Sequence, residues 1–263
     1  MDLTEAKHID YNISERHPWE LARFKVILSI LKHTSPYLLK NKINVLDIGC
    51  GDTFFVEKLS KYMPLAKFYA VDIAFSNNLI NQFKKKFRNR PVKVYNNIED
   101  TNKDSNHIDL VLLLDVIEHI DDDANFLKNL LKYSNISKDT IFLITAPAYQ
   151  FLFSSHDIFL KHYRRYNNTL LKNTLQKADY KVIKTGYFFT ALFIVRVLQV
   201  IIKKIKKSSI EKEKGIGEWK SNKIKSSILK TVLILDFKFA YFLQNTGIKL
   251  PGLSNYVICK KSV

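Results

Sequence analysis

The sequence predicts an α/β fold in which helices cover both faces of a parallel β-sheet. Three observations lead to this prediction. Short apolar runs of strand length alternate with segments whose apolar residues recur at helical period. The first apolar run ends in a glycine-containing turn directly before a helix. The chain has 263 residues, 46% of them hydrophobic, which suffices for one large domain with a full core.

The predicted elements of the first half alternate from the start. Pro18 begins an N-terminal helix, which ends before Pro36. The elements after it are a strand at 43–48, a helix at 54–63, a strand at 66–72, a helix at 77–87 and a strand at 92–95. Strands and helices that alternate at this spacing indicate a parallel sheet.

The second half continues this alternation and then departs from it. Its elements are a strand at 108–114, a helix at 123–133, a strand at 140–145, a helix capped by Asn167 that runs to 177, and strands at 181–187 and 255–260. Residues 187–249, between the last two strands, predict a helical hairpin. Its two apolar stretches, 187–202 and 228–243, are joined by a polar loop at 208–225.

The net charge of +17 at pH 7 is concentrated in this last part of the chain. Residues 187–263 carry 15 Lys and Arg against four Asp and Glu, and the basic run 203–207 follows the first apolar stretch directly. Such a surplus indicates a polyanionic partner, whether nucleic acid, anionic lipid or a phosphorylated substrate. Basic residues beside apolar helices favour a peripheral position on an anionic membrane surface. The alternative is a helical pair packed on its own domain or on a dimer partner.

The cellular setting follows from the cysteines and the N-terminus. Cys50 and Cys259 are too few for a disulfide framework or a zinc cluster, and the first 20 residues lack the apolar segment of a signal peptide. No window reaches 18 uninterrupted apolar residues, so an ordinary membrane span is not expected. We therefore expect a cytoplasmic protein, held by its hairpin on the inner face of the cytoplasmic membrane.

The turn after the first strand carries the main chemical signal. Asp47 precedes two glycines, Gly49 and Gly51, which let a ligand approach the backbone. Phe54 stands where the dinucleotide fingerprint has its third glycine, and a carboxylate at Asp47 would repel a pyrophosphate but attract an amino group. Asp72 ends the next strand, where a carboxylate takes ribose hydroxyls. A ligand with a ribose, a cationic amino acid end and no phosphate is S-adenosylmethionine.

Residues 45–51, 71–72 and 109–119 resemble, in order and spacing, the motifs of class I S-adenosylmethionine-dependent methyltransferases. The resemblance extends from about residue 40 to 187. It implies a Rossmann-like seven-stranded sheet with an antiparallel last strand, and S-adenosylmethionine as cofactor. The residues that it implies for cofactor binding are Asp47, Gly49, Cys50, Gly51, Asp72, Ile73, Asn97, Ile98, Leu114 and Asp115.

The resemblance also implies a role for each part of this set. Asp47 and the two glycines would line the methionine end, while Asn97 and Ile98 would hold the adenine. Leu114 and Asp115 would lie beside the sulfonium. Thr53 stands where many members have a further glycine. The implied domains are a helical cap at 1–40, a methyltransferase domain at 41–187 and 250–263, and a basic insertion at 188–249.

The methyl acceptor is predicted from one motif that is absent and from two segments that resemble a known subgroup. After the fourth strand the chain lacks the proline-containing motif of enzymes that methylate exocyclic amino groups. Residues 147–157 and 161–166 are similar to a bacterial subgroup linked with surface-glycan and polyprenyl-linked substrates. We therefore expect O-methylation of a lipid-linked, glycan or other small-molecule acceptor. An RNA methyltransferase, suggested by the basic segment 83–90, is the weaker alternative, because the lysines lack a recognisable RNA-binding module.

An alcohol acceptor must lose a proton, and a histidine is suited to accept it. The candidates are His119, His156 and His162; for His119 and His156 a purely structural contact is the alternative. The candidates for substrate contact are Tyr163, Arg164, Arg165 and Tyr166. The two arginines could clamp a phosphate or carboxylate, or form a solvated turn, or pair with Asp157.

A metal is not part of the predicted site. Asp115, Glu118 and His119 are nevertheless similar to a stretch of ubiquinone-precursor O-methyltransferases, some of which use a divalent cation. Three ligands on one turn rarely complete an octahedral site alone. A degenerate methyltransferase fold that only binds ligands is a third interpretation, and the presence of Asp47, Gly49, Gly51 and Asp72 opposes it.

Overall fold

A seven-stranded sheet forms the centre of the computed structural model, which describes residues 16–206 and 222–262. The strands are β1 (Asn44–Ile48), β2 (Lys67–Val71), β3 (Val92–Tyr95), β4 (Ile108–Leu114), β5 (Ile136–Pro147), β6 (Tyr180–Phe188) and β7 (Ser254–Lys261). Their order is β3-β2-β1-β4-β5-β7-β6, and β7 runs antiparallel to both of its neighbours. The Rossmann-like sheet with an antiparallel last strand is therefore confirmed.

Helices cover both faces of this sheet. They are α1 (Pro18–Thr34), α2 (Phe54–Tyr62), α3 (Asn77–Lys86), α4 (Asp123–Leu130), α5 (Ser155–Phe159), α6 (Asn168–Lys177), α7 (Thr190–Lys206) and α8 (Lys223–Asn245). One buried cluster joins the sheet to α1, α2, α3 and α8, and a second joins its other face to α4 and α6. Alternate residues of the central strands enter opposite clusters because strand side chains alternate between faces.

Most predicted boundaries agree with the structure to within a few residues, and the differences have local causes. The strand predicted at 140–145 begins at Ile136, which pairs with Ile108 before a shift in the β4–β5 register. The polar residues 137–139 interrupt the apolar pattern there, so the sequence did not predict this extension. The helix predicted at 123–133 ends at Leu130. Helix α5 was not predicted, although Ser154 and Asp157 form a capping box at its start.

The predicted hairpin consists of α7 and α8. One side of α8 packs on α1 and β6 through Leu233, Phe237 and Tyr241, and the Asp236 carboxylate accepts a hydrogen bond from the Ala191 N–H of α7 (3.1 Å). Helix α8 begins at Lys223, so the end of the predicted loop 208–225 is helical. Residues 208–221 of that loop and the side chains of the basic run 203–207, except that of Ile205, lie outside the described residues. Among the described helices, none pairs the length with the apolarity that crossing a bilayer requires.

Candidate active site at the carboxyl edge of the sheet

The candidate site lies where the strand order changes direction, between β1 and β4. From β1 the sheet continues through β2 and β3 on one side and through β4 and β5 on the other. At such a switch point the loops after the two central strands diverge and leave a crevice. The turns after β1 and β4 therefore meet at one place.

The turn after β1 has a backbone that depends on glycine. Gly49 has φ +70°, and a Cβ there would lie 2.6 Å from Val116 Cγ2. The N–H groups of Gly49 and Cys50 both donate to the Val71 carbonyl (2.8 and 3.1 Å), which ties the turn to β2. Gly51 follows with φ +55°. Thr53, which stands where many members of the resembled family have a further glycine, also adopts a positive φ (65°) and is buried, a strained conformation for a β-branched residue.

Asp47, the last acid before this turn, is buried at the end of β1. Its Oδ2 has no hydrogen-bond partner within the described part of the chain. Burial raises the pKa of Asp47 to about 7; Arg23 opposes the rise and Asp72 adds to it. A buried carboxylate with an open acceptor position can bind a cationic group that enters the crevice.

Asp72 is oriented by the backbone that surrounds it. Its Oδ2 accepts a hydrogen bond from Gly51 N–H and its Oδ1 one from Ala74 N–H, both at 2.9 Å. A carboxylate oxygen can accept more than one hydrogen bond, so this orientation is compatible with a hydroxyl group at Asp72. The neighbouring Ile73 is exposed, as expected for a residue that a ligand would cover.

Of the remaining predicted cofactor residues, Cys50 and Leu114 line the crevice, and Asn97 and Ile98 follow β3. Burial followed by the charge of Asp47 raises the pKa of the Cys50 thiol well above its ordinary value. Asn97 is exposed after β3, where its Oδ1 accepts from Glu99 N–H (2.9 Å), and Ile98 packs partly into the core.

Helix α1 covers the crevice and supplies charged residues that the sequence analysis missed. Arg23 Nη2 lies 2.8 Å from Asp115 Oδ2 and donates to Thr145 Oγ1 (2.9 Å), which in turn donates to Asp115 Oδ1 (2.8 Å). Arg16 pairs with Asp52 and with Glu20. Arg16 lies just before the helix, and its spacing of four and seven residues from Glu20 and Arg23 was the available signal.

The crevice, counted together with the solvent space at its mouth, has about 430 Å³ of empty space. Its lining combines residues of α1 and α2 with the ends of β1 and β4 and the turn after β1: Glu20, Arg23, Phe24, Asp47, Gly49, Cys50, Phe54, Phe55 and Leu114. Buried acids, a guanidinium and aromatic walls suit a zwitterionic ligand with an apolar part.

A second cluster follows β4, in the turn Ile117–His119. The Glu118 side chain is fully buried, and its ligand atoms lie within 4.8 Å of those of His119 and His162. The rings of His119 and His162 meet edge to face with centroids 4.6 Å apart. Burial, followed by the charge of Asp115, raises the pKa of Glu118 well above its ordinary value. Two of the three candidate histidines are thus neighbours, and His156 lies on α5.

The four predicted substrate residues have different surroundings. Tyr163 is exposed, whereas Tyr166 is buried with its hydroxyl donating to Asp123 Oδ2 (2.6 Å). Arg164 lies 3.0 Å from the same carboxylate. Arg165 donates through Nε and Nη2 to the two oxygens of buried Asp157 (2.8 and 2.9 Å). The pairing with Asp157 that the sequence left open is therefore found for Arg165.

The basic segment 83–90, which suggested RNA, is partly neutralised within the fold. Lys86 and Arg90 lie 3.1 and 3.4 Å from the carboxylate of Glu57 on α2, and Lys61 approaches the same group at 3.5 Å. Ion pairs of this kind reduce the charge that the segment offers to a phosphate backbone. These contacts weaken the RNA alternative.

Comparisons with known proteins place this geometry in a family. Residues 19–185 match a family model described as a methyltransferase domain. The sequence matches none of the curated proteins with which it was compared.

Solved structures share the fold at low sequence identity. A candidate sarcosine dimethylglycine methyltransferase from Galdieria sulphuraria aligns with TM-score 0.55 at 13% identity, over 92% of this chain and 86% of its own. The [4+2]-cyclase SpnF aligns with a TM-score of 0.54 at 10% identity, over 97% of this chain and 86% of its own. Coclaurine N-methyltransferase, bound to N-methylheliamine and SAH, aligns with a TM-score of 0.53 at 14% identity, over 90% of this chain and 70% of its own. Because a cyclase is among them, these likenesses show the fold and not the activity.

Proposed function

This chain belongs to the methyltransferase domain family and is an S-adenosylmethionine-dependent methyltransferase, and on that premise we propose that it O-methylates a lipid-linked, glycan or other small-molecule acceptor at an anionic membrane face. The observation that carries this proposal is the contact between the hairpin and the loop after β5. The Phe193 ring of α7 lies 5.1 Å from that of Tyr149 and 6.3 Å from that of Phe151. An acceptor anchored in lipid beside α7 would therefore reach this loop first.

The crevice fits the cofactor at its charged end. The open acceptor position on buried Asp47 suits the amino group, and Arg23 Nε, which lacks a hydrogen-bond partner among the described residues, suits the carboxylate. Asp72 would take the ribose hydroxyls, and a side chain at Gly49 would fill the turn. The roles of Asn97, Ile98, Leu114 and Asp115 stay predictions.

The cofactor, when bound, supplies a methyl carbon bonded to a sulfonium, and that C–S bond breaks with its electron pair on sulfur as the acceptor oxygen bonds the carbon. The chain must then align the acceptor and remove its hydroxyl proton. Alignment alone can lower a barrier by about 7–11 kcal/mol in the best cases. Histidine is suited to receive the proton, and His119, His156 and His162 are the candidates.

The acceptor class can be tested by incubating the enzyme with methyl-labelled cofactor and separate lipid, glycan and RNA fractions, followed by mass spectrometry. We expect one labelled methyl group to replace the hydrogen of a hydroxyl on a lipid or glycan component, because the cofactor supplies the group that is transferred. Label in the RNA fraction alone would replace the proposal with the RNA alternative. The Asp47→Asn variant is the control for label that does not depend on the enzyme's cofactor site.

We expect His156→Ala to abolish turnover while cofactor affinity is unchanged, because loss of a general base costs about 10²- to 10⁴-fold in rate and leaves the crevice intact. Turnover and cofactor binding by calorimetry are measured in parallel. His107→Ala is the control, since His107 is an exposed residue beside Asp109 at the start of β4. Normal turnover of His156→Ala would remove His156 from the mechanism.

The membrane position rests on two exposed apolar stripes. On α7 the exposed apolar residues are Ile194, Val195, Leu198, Ile201, Ile202 and Ile205, and on α8 they are Ile224, Ile228, Val232, Leu235, Phe239 and Phe242. Their spacing places each set on one side of its helix. Exposed apolar surface on a helix pair within the most basic part of the chain is typical of interfacial binding to anionic lipid.

We expect the enzyme to sediment with vesicles that contain phosphatidylglycerol and not with pure phosphatidylcholine vesicles, because basic residues each contribute about 1 kcal/mol at an anionic surface. The double variant Leu198→Asp/Ile202→Asp should lose this binding. Leu65→Asp/Ile183→Asp changes two equally exposed apolar residues outside the hairpin and should retain it. If the wild type binds neither kind of vesicle and the hairpin variant dissociates a dimer, measured by light scattering, the stripes form a protein interface.

A further inference from the structure

The cluster formed by Glu118, His119 and His162 has a composition and a burial that methyl transfer alone does not require. One carboxylate oxygen and two imidazole nitrogens lie within 4.8 Å of one another. Apart from an attraction to its own backbone N–H, the Glu118 carboxylate has no hydrogen-bond partner within the described part of the chain, although the side chain is fully buried. A buried carboxylate without partners costs folding free energy unless a positive group binds it.

The orientation of His162 is set by groups behind it. Asp157 Oδ1 lies 2.9 Å from His162 Nδ1, and Arg165 holds the same carboxylate through two hydrogen bonds. Because a carboxylate accepts, Nδ1 is the donor in this contact, and in the neutral ring Nε2 is the nitrogen with the lone pair. A histidine held by a carboxylate in this way is the usual arrangement behind a metal ligand.

The two loops that carry the cluster are joined by their backbones. Tyr163 N–H donates to the Glu118 carbonyl oxygen at 2.8 Å, directly beside His162. Glu118 and His119 lie on the turn after β4, and His162 lies on the loop after β5. The cluster therefore exists only in the folded chain and is held by contacts on both sides.

We propose that Glu118, His119 and His162 bind one divalent transition-metal ion through two imidazole nitrogens and one carboxylate oxygen. Nitrogen ligands favour zinc and its first-row neighbours over magnesium, which prefers oxygen. Three protein ligands leave a coordination position for a further ligand. Asp115, which the sequence pattern grouped with Glu118 and His119, is instead engaged by Arg23 and Thr145.

The consequence for catalysis rests on the proposed function. If an alcohol oxygen occupies the remaining coordination position, the metal lowers the pKa of that hydroxyl and its proton leaves more readily. His119 and His162 would then be ligands, and proton removal would fall to His156 or to solvent. Metal binding itself does not depend on the acceptor and can be tested without it.

The test uses the untagged full chain after dialysis against a chelator. Zn²⁺ binding is measured by calorimetry, Co²⁺ binding by its visible absorption bands, and Mg²⁺ is added as a competitor. The variants are Glu118→Gln and His162→Ala, and His107→Ala serves as the control histidine. Circular dichroism reports whether each variant is folded.

We expect one Zn²⁺ per chain in the wild type and in His107→Ala, with no displacement by Mg²⁺. Affinity should fall at least about tenfold in both cluster variants, since even residues behind the ligands are worth about 10- to 100-fold. If His162→Ala does not fold, Glu118→Gln decides alone, because it preserves the side-chain volume. Wild-type affinity in the folded Glu118→Gln variant, or no Zn²⁺ binding by the wild type, overturns the metal site. Neither result affects the cofactor and vesicle experiments.

Discussion

Asp47→Asn is expected to weaken S-adenosylmethionine binding by about 10- to 100-fold, which would abolish turnover at micromolar cofactor. The neutral amide cannot form the charged hydrogen bond that the buried carboxylate offers, and such bonds contribute about 1.5–3 kcal/mol. Calorimetry at about pH 7.5, where the carboxylate is mostly charged, measures the loss. Asp179→Asn is the matched control, because Asp179 is an exposed acid at the opposite edge of the sheet and asparagine tolerates its positive φ.

The pH dependence of binding provides a second readout of the same residue. With a pKa of about 7, Asp47 is largely protonated one unit below that value and largely charged one unit above it. Cofactor affinity in the wild type should therefore rise as the pH rises through 7, and in Asp47→Asn it should remain flat. An equally steep pH profile in the variant would show that another group controls binding.

The stability of the cofactor-free enzyme should change in the opposite direction. The pKa of Asp47 rises from 3.8 in the unfolded chain to about 7 in the folded one. This difference favours the folded state fully below pH 3.8, and the contribution to stability is lost as the pH rises through 7. Above pH 7 the charged Asp47 thus costs on the order of 4 kcal/mol. Asp47→Asn should raise the Tm at alkaline pH while it weakens binding. A lower Tm would indicate that the binding loss arises from damage to the fold.

Arg165→Ala should destabilise the protein by about 3–5 kcal/mol, because it leaves Asp157 buried without its main positive partner. Burial alone would raise the pKa of Asp157, but the hydrogen bonds from His162 and Arg165 hold it far below its ordinary value. For a chain of this size the Tm should fall by roughly 10 °C. Thermal unfolding followed by circular dichroism measures the change.

The adjacent arginine is the control for this prediction. Arg164 forms partly exposed ion pairs with Asp121 and Asp123, and pairs of that kind contribute about 0–1 kcal/mol. Arg164→Ala should therefore leave the Tm within a few degrees of the wild type. If both variants unfold alike, the Asp157 pair is not what secures the loop. If Arg165→Ala is stable but raises the KM for the acceptor, Arg165 contacts substrate instead.

The fold and the cofactor end of the site could be predicted because their signals are local. Each strand is marked by its own apolar run, and Asp47, Gly49 and Gly51 lie within one turn whose geometry follows from residue type. Asp72 follows from its position at the end of the next strand. These features need no knowledge of which distant elements come into contact.

The rest of the site depends on contacts between distant segments. Arg23 enters the crevice because α1 packs over the sheet, and its distance in sequence from Asp115 conceals their pairing. The cluster of Glu118 with His162 requires the loops after β4 and β5 to meet. The run 163–166 provides four similar candidates in the sequence, whereas the fold exposes Tyr163 and buries Arg165 and Tyr166.

The position of β7 within the sheet has a consequence for the order of folding. Strand β6 has β7 as its partner in the sheet, and about 65 residues, including α7 and α8, separate the two strands. Pairing across a segment of this length is slow, and β7 is synthesised only after the apolar hairpin. Strand β6 therefore stays unpaired until then. During that interval an open strand edge and two apolar helices are exposed together, a combination that promotes aggregation. If the hairpin binds lipid as proposed, early contact with the membrane would protect the nascent chain at this stage.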